Sequence, residues 1–324
     1  MRFRHAWIAL ALLAIAAPAL AQQGPYPSRP IRWIVPYTPG GITDSVTRQV
    51  AQRVQDAVGQ PVVIENKPGA NSIVGVDMGA KSPADGYTVI TVIAAHAANA
   101  TLYAGKLPFD PVKSFTPISL VATAPLILCV NNDFPAKDAK DFLAYARANP
   151  GKISFGTSGI GSASHLTLEL LMQTTGVKMT HIPYKGTAPA LTALLGGDIQ
   201  MMVDVPSSMM PHVRAGKIRA IGLLAARRTP GAAEVPTFEE AGGPLIEGST
   251  WVMFLAPAGT PREAVARLGS EVTKAMGIAE LRARFEQLGI EPLVTTPEQT
   301  GKFLDDEIAK WAKVITTAGV KPEQ

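Results

Sequence analysis

From Ile31 onward, short apolar runs alternate with stretches of helical periodicity, a pattern that predicts mainly parallel sheets covered by helices. Residues 31–35 read as the first strand. Val46, Val50, Val54 and Val58 then recur every four residues on one helical face, until Gly59 ends the stripe. Residues 61–65 and 87–93 are predicted strands rich in β-branched side chains, with a short helix over 72–80 between them. A longer apolar segment, 118–130, is expected to be a strand that leaves one lobe and enters another. Beyond it the alternation resumes: helix 138–149 with Phe142 and Tyr145 on one face, strand 152–155, helices 165–173, 188–195 and 207–215, and strands 200–205 and 218–224. A return crossing is expected near 250–257. Helices over 262–276, 279–288 and 297–318 follow, and the last should pack back on the first lobe. The fold class is therefore α/β: a two-lobed clamp, each lobe a sheet flanked by helices, joined by strand crossings at a hinge.

Ahead of this alternation, Arg2 and Arg4 precede an apolar run from Trp7 to Leu20 that Pro18 interrupts, and Ala19-Leu20-Ala21 has the small-x-small form of a signal peptidase site. A membrane span needs ~20 apolar residues, so residues 1–21 are expected to be an export signal cleaved after Ala21. Lipoprotein processing requires a cysteine at the cleavage point, and the single cysteine is Cys129. The remaining chain exceeds the ~250–300 residues at which one core usually divides. Residues 22–122 with 251–324 are assigned to lobe 1 and 123–250 to lobe 2. One cysteine makes no internal disulfide even in an oxidising compartment, so each lobe must stand on its own core. Cys129 lies in an apolar run and reads as a buried hydrophobe rather than a catalytic thiol.

Charge narrows the partners. The 30 basic residues exceed the 26 acidic ones by four, Arg2 and Arg4 of the leader supply half of that excess, and the rest are interspersed. Nucleic-acid binding calls for a basic stripe or a recognisable motif, and the sequence has neither.

Two loops place glycines directly before a helix, where unpaired amides and the helix dipole favour an anion. The first contains Gly40, Gly41, Thr43 and Asp44, with Thr43 or Asp44 placed to cap the helix; an ordinary capped turn is the plainer reading. The second, Gly156 to His165, interleaves glycines with Thr157, Ser158, Ser162 and Ser164. It lacks the Gly-Lys-Ser/Thr ending of a P-loop, the downstream acid of a dinucleotide fingerprint and the spacing of a nucleophile elbow. A neutral, donor-rich nest suited to carboxylate oxygens remains. No histidine pair has the spacing of a helical metal site. His165, in the first turn of a helix, is better placed to bond its own loop than to abstract protons. Asp204 ends the 200–205 strand at the usual ligand edge of such sheets, and the alternative is a carboxylate capping the turn at Pro206. No cofactor or metal is implied.

At these residues the chain resembles the tripartite tricarboxylate transporter receptor (Bug) family of periplasmic solute-binding proteins. The stretches that carry the resemblance are 26–32, 35–44, 63–70, 84–88, 181–186 and 256–261, which together span nearly the whole chain after the leader. The resemblance implies a periplasmic-binding-protein clamp that holds a small organic carboxylate through backbone amides and ordered waters, then hands it to inner-membrane transporter subunits. Carried over, it points to Tyr37, Gly40, Gly41 and Asp44 in one lobe, and to Ser158, Gly159, Gly161, Ser162 and Asp204 across the cleft; Thr43, Thr157 and His165 complete the candidate set from the loops themselves. Where the family commonly has a third glycine this chain has Ile42, whose branched side chain narrows the mouth of the loop. A monomer in the periplasm, without catalytic activity, is expected. The alternatives are a receptor that presents its ligand to a membrane sensor and a serine hydrolase built on the second loop. The exported protein should begin at Gln22, and an intact mass for periplasmic protein that includes residues 1–21 would contradict export by this signal.

Overall fold

The computed structural model describes residues 26–322, so the expected export signal and its cleavage site lie outside the described residues. Strands β1 (Ile31–Val35), β2 (Val62–Asn66) and β3 (Thr88–Val92) form a parallel trio in the order β2-β1-β3. Their connections are helices α1 (Ile42–Val58) and α2 (Ile73–Ala80), and α3 (Ala94–Leu102) leaves β3. The 17-residue strand β4 (Phe115–Asn131) then runs into a second sheet. There α4 (Ala139–Ala148), β5 (Ser154–Thr157), α5 (Ala163–Thr175), β6 (Thr180–Pro183), α6 (Thr187–Gly196), β7 (Met201–Asp204), α7 (Pro206–Arg214) and β8 (Ile218–Leu224) follow. β5 pairs in parallel with both β6 and β7, whereas β7 and β8 flank the far half of β4 in antiparallel register. The chain returns through β9 (Ser249–Pro257), antiparallel to β3 and to the near half of β4. Helices α8 (Arg262–Met276) and α9 (Ala279–Gln287), the short strand β10 (Glu291–Pro292) and helix α10 (Pro297–Ala318) complete lobe 1. Both sheets are thus mixed: a parallel trio in each lobe, with antiparallel crossing strands between them.

Side chains alternate across each strand, and the buried clusters follow that period of two. On β9, Val252, Phe254 and Ala256 face the layer of α1, α8 and α9, while Trp251, Met253 and Leu255 face α3 and α10. On the far half of β4, Leu126, Leu128 and Val130 face α4 and α5, while Ile127 and Cys129 face α6 and α7. Each lobe is therefore a three-layer sandwich, with each fully buried large apolar side chain contributing ~1.5–3 kcal/mol. Val46, Val50 and Val54 are fully buried in this way. Gly59 stops α1 in the left-handed region at φ +67°, its N–H donating to Gln55 O. Burial pushes the Cys129 thiol far above its ordinary pKa, so it behaves as a hydrophobe.

The lobes also touch outside the crossing strands. Leu166 on α5 belongs to the lobe 1 cluster with Leu102 and Trp311, and Gln173 Nε2 donates to Val314 O at 2.9 Å. Gly248, where the chain re-enters lobe 1, packs so closely on Thr167 that an added Cβ would overlap that side chain. The indole N–H groups of Trp251 and Trp311 both donate to Glu307 Oε2, at 2.9 and 2.8 Å, which ties α10 to β9. Two charge-assisted bonds satisfy a carboxylate that would otherwise be costly to bury.

Two consequences are measurable. Gly248→Val should destabilise the fold by ~1–3 kcal/mol through overpacking. Gly269→Ala, in open space on α8, should stabilise it by ~0.5–1 kcal/mol through helix propensity. Urea denaturation of the two variants reads both signs. The second consequence concerns acid. His96 is 1% exposed between Phe109 and Phe115, and burial, partly offset by its bond to Pro111 O, pulls its pKa down to about 4. An unfolded histidine protonates near pH 6.5, so between these values the unfolded chain binds more protons and stability falls as pH drops. His96 should account for a loss of about 2 kcal/mol between pH 7 and pH 5, a window above the carboxylates whose pKa is lowered. His96→Gln should reduce that slope in urea titrations without abolishing it, because His181 is also pulled below its ordinary range and acts in the same window; an unchanged slope would contradict it.

Candidate functional site

Ligands of open α/β sheets bind outside the carboxyl ends of the strands. In lobe 1 those ends feed residues 36–41 before α1, residues 67–72 before α2, and Ile93 before α3. In lobe 2 they feed 158–162 before α5, 184–186 before α6, and Val205 before α7. The two edges meet. Gly161 in lobe 2 lies so close to lobe 1 that a Cβ there would overlap Leu102 Cδ1 and stand 3.4 Å from Asn71 Nδ2. Ile42, at the start of α1, packs against apolar side chains of both lobes.

Gly40, at φ +90°, and Gly41 lie exposed at the head of α1, where nothing obstructs close approach to the backbone. Gly41 takes the N-cap position without a side-chain cap, in place of the expected Thr43 or Asp44. The Asp44 carboxylate instead braces the loop from inside. Its Oδ2 accepts from Gly40 N at 3.0 Å and Arg48 Nε at 2.9 Å, and its Oδ1 from Asn66 Nδ2 at 2.9 Å. Burial pushes this carboxyl up, but the bonds from Arg48, Asn66 and Gly40 outweigh it and hold the pKa below the ordinary range. Asn66 Nδ2 also donates to Tyr37 O, which joins the start of the loop to its brace. The buried Thr43 uses its carbonyl to accept from Thr47 Oγ1. The amides of Ile42, Thr43 and Asp44 precede the first intrahelical bond, from Ser45 N to Gly41 O, and have no acceptor within the helix.

The second loop is braced by hydroxyls and rings. Gly159 and Gly161 adopt φ of +134° and +77°, where glycine is at ease. Ser162 caps α5 by accepting from His165 N, and its hydroxyl lies 2.9 Å from that of Ser164, which in turn reaches Ser158. Gly161 N donates to His165 Nδ1 at 3.1 Å, which fixes the ring proton on Nε2, 3.5 Å from Glu169 Oε1. The His165 ring stacks on His181 with centroids 4.0 Å apart, and His181 Nε2 meets Thr157 Oγ1 at 2.7 Å. Burial and the neighbouring His165 pull the His181 pKa down to about 3, so the His181 ring is neutral. With both His165 nitrogens engaged, the serine hydroxyls bond one another rather than a base. Once these bonds are made, the amides of Ala163 and Ser164 remain as the first-turn donors without a helical acceptor.

Asp204 lies at the cleft edge with no cation paired to it among the described residues. Its Oδ2 accepts from Thr187 Oγ1 at 2.7 Å and its Oδ1 from Val205 N at 2.7 Å and Ser208 Oγ at 3.2 Å, the geometry of the turn-capping alternative. Burial raises its pKa against the pull of those three bonds. The cations nearest the first loop are committed, Arg48 to Asp44 and Lys67 to Glu65. Among the described residues no group of three His, Cys, Asp or Glu is placed to hold a metal ion.

Sequence reasoning missed the loop before α2. Its Gly69, Ala70, Asn71 and Ser72 all have positive φ, three of them without the freedom of glycine. Ser72 Oγ and Tyr37 Oη are buried atoms without a formed hydrogen bond among the described residues. Leaving such a hydroxyl unpaired costs ~1–3 kcal/mol.

The family description "Tripartite tricarboxylate transporter family receptor" matches residues 46–320. BugT of Bordetella pertussis is 36% identical over 319 residues, covering 97% of this chain and 96% of BugT. A Rhodopseudomonas palustris protein solved with adipate superposes with a TM-score of 0.84 at 36% identity, covering 92% of this chain and all of that one. MatC from the same organism, solved with malate, gives a TM-score of 0.78 at 34% identity over 90% of this chain and all of MatC. The two-lobed fold, the glycine loops at the facing strand ends and these matches agree: the chain belongs to the tripartite tricarboxylate transporter receptor family, the Bug proteins.

Proposed function

We propose that this protein is an extracytoplasmic receptor that captures a small organic carboxylate between its lobes and delivers it to a tripartite tricarboxylate-type membrane transporter. One observation carries the reading. Helices α1 and α5 present acceptor-free amides from opposite lobes at facing strand ends, beside neutral hydroxyls, while the cations nearest the first loop are already paired. Such a site binds an anion through fixed dipoles rather than through a salt bridge. Relatives solved with adipate and malate support small dicarboxylates as the ligand class.

Capture needs a hinge. The partners of β4 change between Pro125, paired with Ser249 in lobe 1, and Leu126, paired with Leu224 in lobe 2. Rotation there would divide the chain a few residues from the expected bounds, with residues up to 125 and from 249 onward on one side and residues 126–248 on the other. A ligand bridging both lobes gains its full contacts only when they close, so binding and closure are linked. The leader would place the protein in the periplasm as a monomer after cleavage at Ala21.

The mechanism is tested with three variants titrated by calorimetry. Gly161→Val should remove binding, because a β-branched residue at φ +77° is strained by ~1–3 kcal/mol and its side chain meets Leu102. Circular dichroism should show it folded. His165→Ala should weaken binding only about tenfold or less, since one loop hydrogen bond contributes ~0.5–1.5 kcal/mol. The exposed Lys185→Ala should be a minor change; abolition of binding by that substitution alone would replace the backbone mechanism with a salt bridge. Against a carboxylate panel, ligand at 100 times its Kd should stabilise the wild type by ~2.7 kcal/mol. A panel without any stabilising acid would overturn the proposal.

A further inference from the structure

The segment Gly69–Ser72 holds four successive residues at φ of 141°, 46°, 50° and 75°. Alanine, asparagine and serine are rarely held there unless the surroundings over-determine them, and such strain gathers at ligand clamps. Here the surroundings are visible. Asn71 Nδ2 donates to Asn99 Oδ1 and Asn99 Nδ2 donates back to Asn71 O, both at 2.8 Å, and Asn99 is fully buried on α3. A carboxamide nitrogen carries two protons, so this lock occupies one of the Asn71 donors and leaves the other. Asn71 lies against Gly161 of the opposite lobe, at the mouth of the loop that leads into α5.

Behind Asn71 is an independent feature that points to a ligand. Ser72 is 2% exposed, yet among the described residues its hydroxyl makes no hydrogen bond of good geometry, and neither does the buried hydroxyl of Tyr37. The two hydroxyls are neighbours: burial pushes the Tyr37 phenol well above its usual range, and the Ser72 hydroxyl, close enough to pair with it, draws it part of the way back, although the contact falls outside the geometry of a formed hydrogen bond. Buried hydroxyls are almost always bonded, and even where one of these donates to the other, the second proton still calls for an acceptor. That proton can be donated outward, as can the second Nδ2 proton of Asn71. Two neutral donors suit the two oxygens of a carboxylate.

We propose that Ser72 and Asn71, with Tyr37, form a lobe 1 subsite for the second carboxylate of a dicarboxylate whose first carboxylate is held by the amides at the start of α5. This rests on the reading of the cleft as a carboxylate site and adds what distinguishes diacids from monoacids there. Asn71, locked to Asn99 and touching lobe 2, makes the distal contact depend on closure.

Ser72→Ala and Asn71→Gly test this, the glycine being chosen because it tolerates positive φ. Each is titrated with succinate and adipate, and with butyrate and hexanoate, the monoacids of the same chain lengths. The wild type should prefer a diacid over its monoacid. In each variant affinity for that diacid should fall about tenfold, the loss of one hydrogen bond to a charged group, with the monoacid changed less than twofold. The melting temperature of ligand-free Ser72→Ala should be unchanged or raised, because an unpartnered hydroxyl is being removed. Unchanged diacid affinity, or an equal loss for diacid and monoacid, would overturn the subsite while leaving the carboxylate cleft standing. A lowered melting temperature in ligand-free Ser72→Ala would also overturn it, by assigning the hydroxyl to the fold. Failure of the wild type to bind any of the four acids would remove the cleft reading itself.

Discussion

The structure depends on one ladder, the antiparallel pairing of β4 with β9 from Phe115 opposite Pro257 to Pro125 opposite Ser249. Every other strand of lobe 1 is built outward from it, through β3 on one side and β10 on the other. Beyond Pro125 the same β4 backbone becomes the strand between β7 and β8 in lobe 2. Shared strands fix how the parallel trios face each other, and so bring the carboxyl ends of β1–β3 opposite those of β5–β7. Glu307 reinforces the ladder by holding α10 to Trp251 of β9. The closeness of Gly248 to Thr167 leaves no room for a side chain where the chain returns. Site geometry is thus inherited from a register, and the loops supply only donors.

Much of this was legible in the amino-acid sequence because burial enforces periodicity. The valines of α1 and the apolar run of β4 announce themselves, and α10 spans the expected 297–318. The elements that escaped reading lack that signal. Helix α3 is Ala-Ala-His-Ala-Ala-Asn-Ala-Thr-Leu, buried on nearly every face, so no stripe separates inside from outside. Strand β6 lies at a sheet edge without one fully buried residue, and β10 is two residues long. The double role of α5, packed on both lobes through Leu166 and Leu168, is a tertiary fact that its own sequence does not encode.

For the site, glycine was the readable letter. Gly40, Gly41, Gly159 and Gly161 mark the heads of α1 and α5 because only glycine adopts some of those conformations without strain. The same rule hid the loop before α2, where Ala70, Asn71 and Ser72 take positive φ despite their side chains. The polar atoms of the titratable candidates are engaged within the loops. Asp44 and His165 stand in these two loops, but their polar atoms are spent on Gly40, Arg48 and Asn66 in one case and on Gly161 and Glu169 in the other. Their work is to hold backbone amides in place, a role that residue type alone does not reveal.

Fixed amides need no reorganisation when an anion arrives, which suits reversible binding. In the proposed site both helix heads engage the ligand together. Hydrogen–deuterium exchange, followed by mass spectrometry with and without a saturating carboxylate, reads that engagement at the backbone itself. The account predicts slowed exchange in peptides covering residues 40–46 and 159–166 at once. Protection confined to one of the two segments, or found in neither while the ligand is bound, would contradict it.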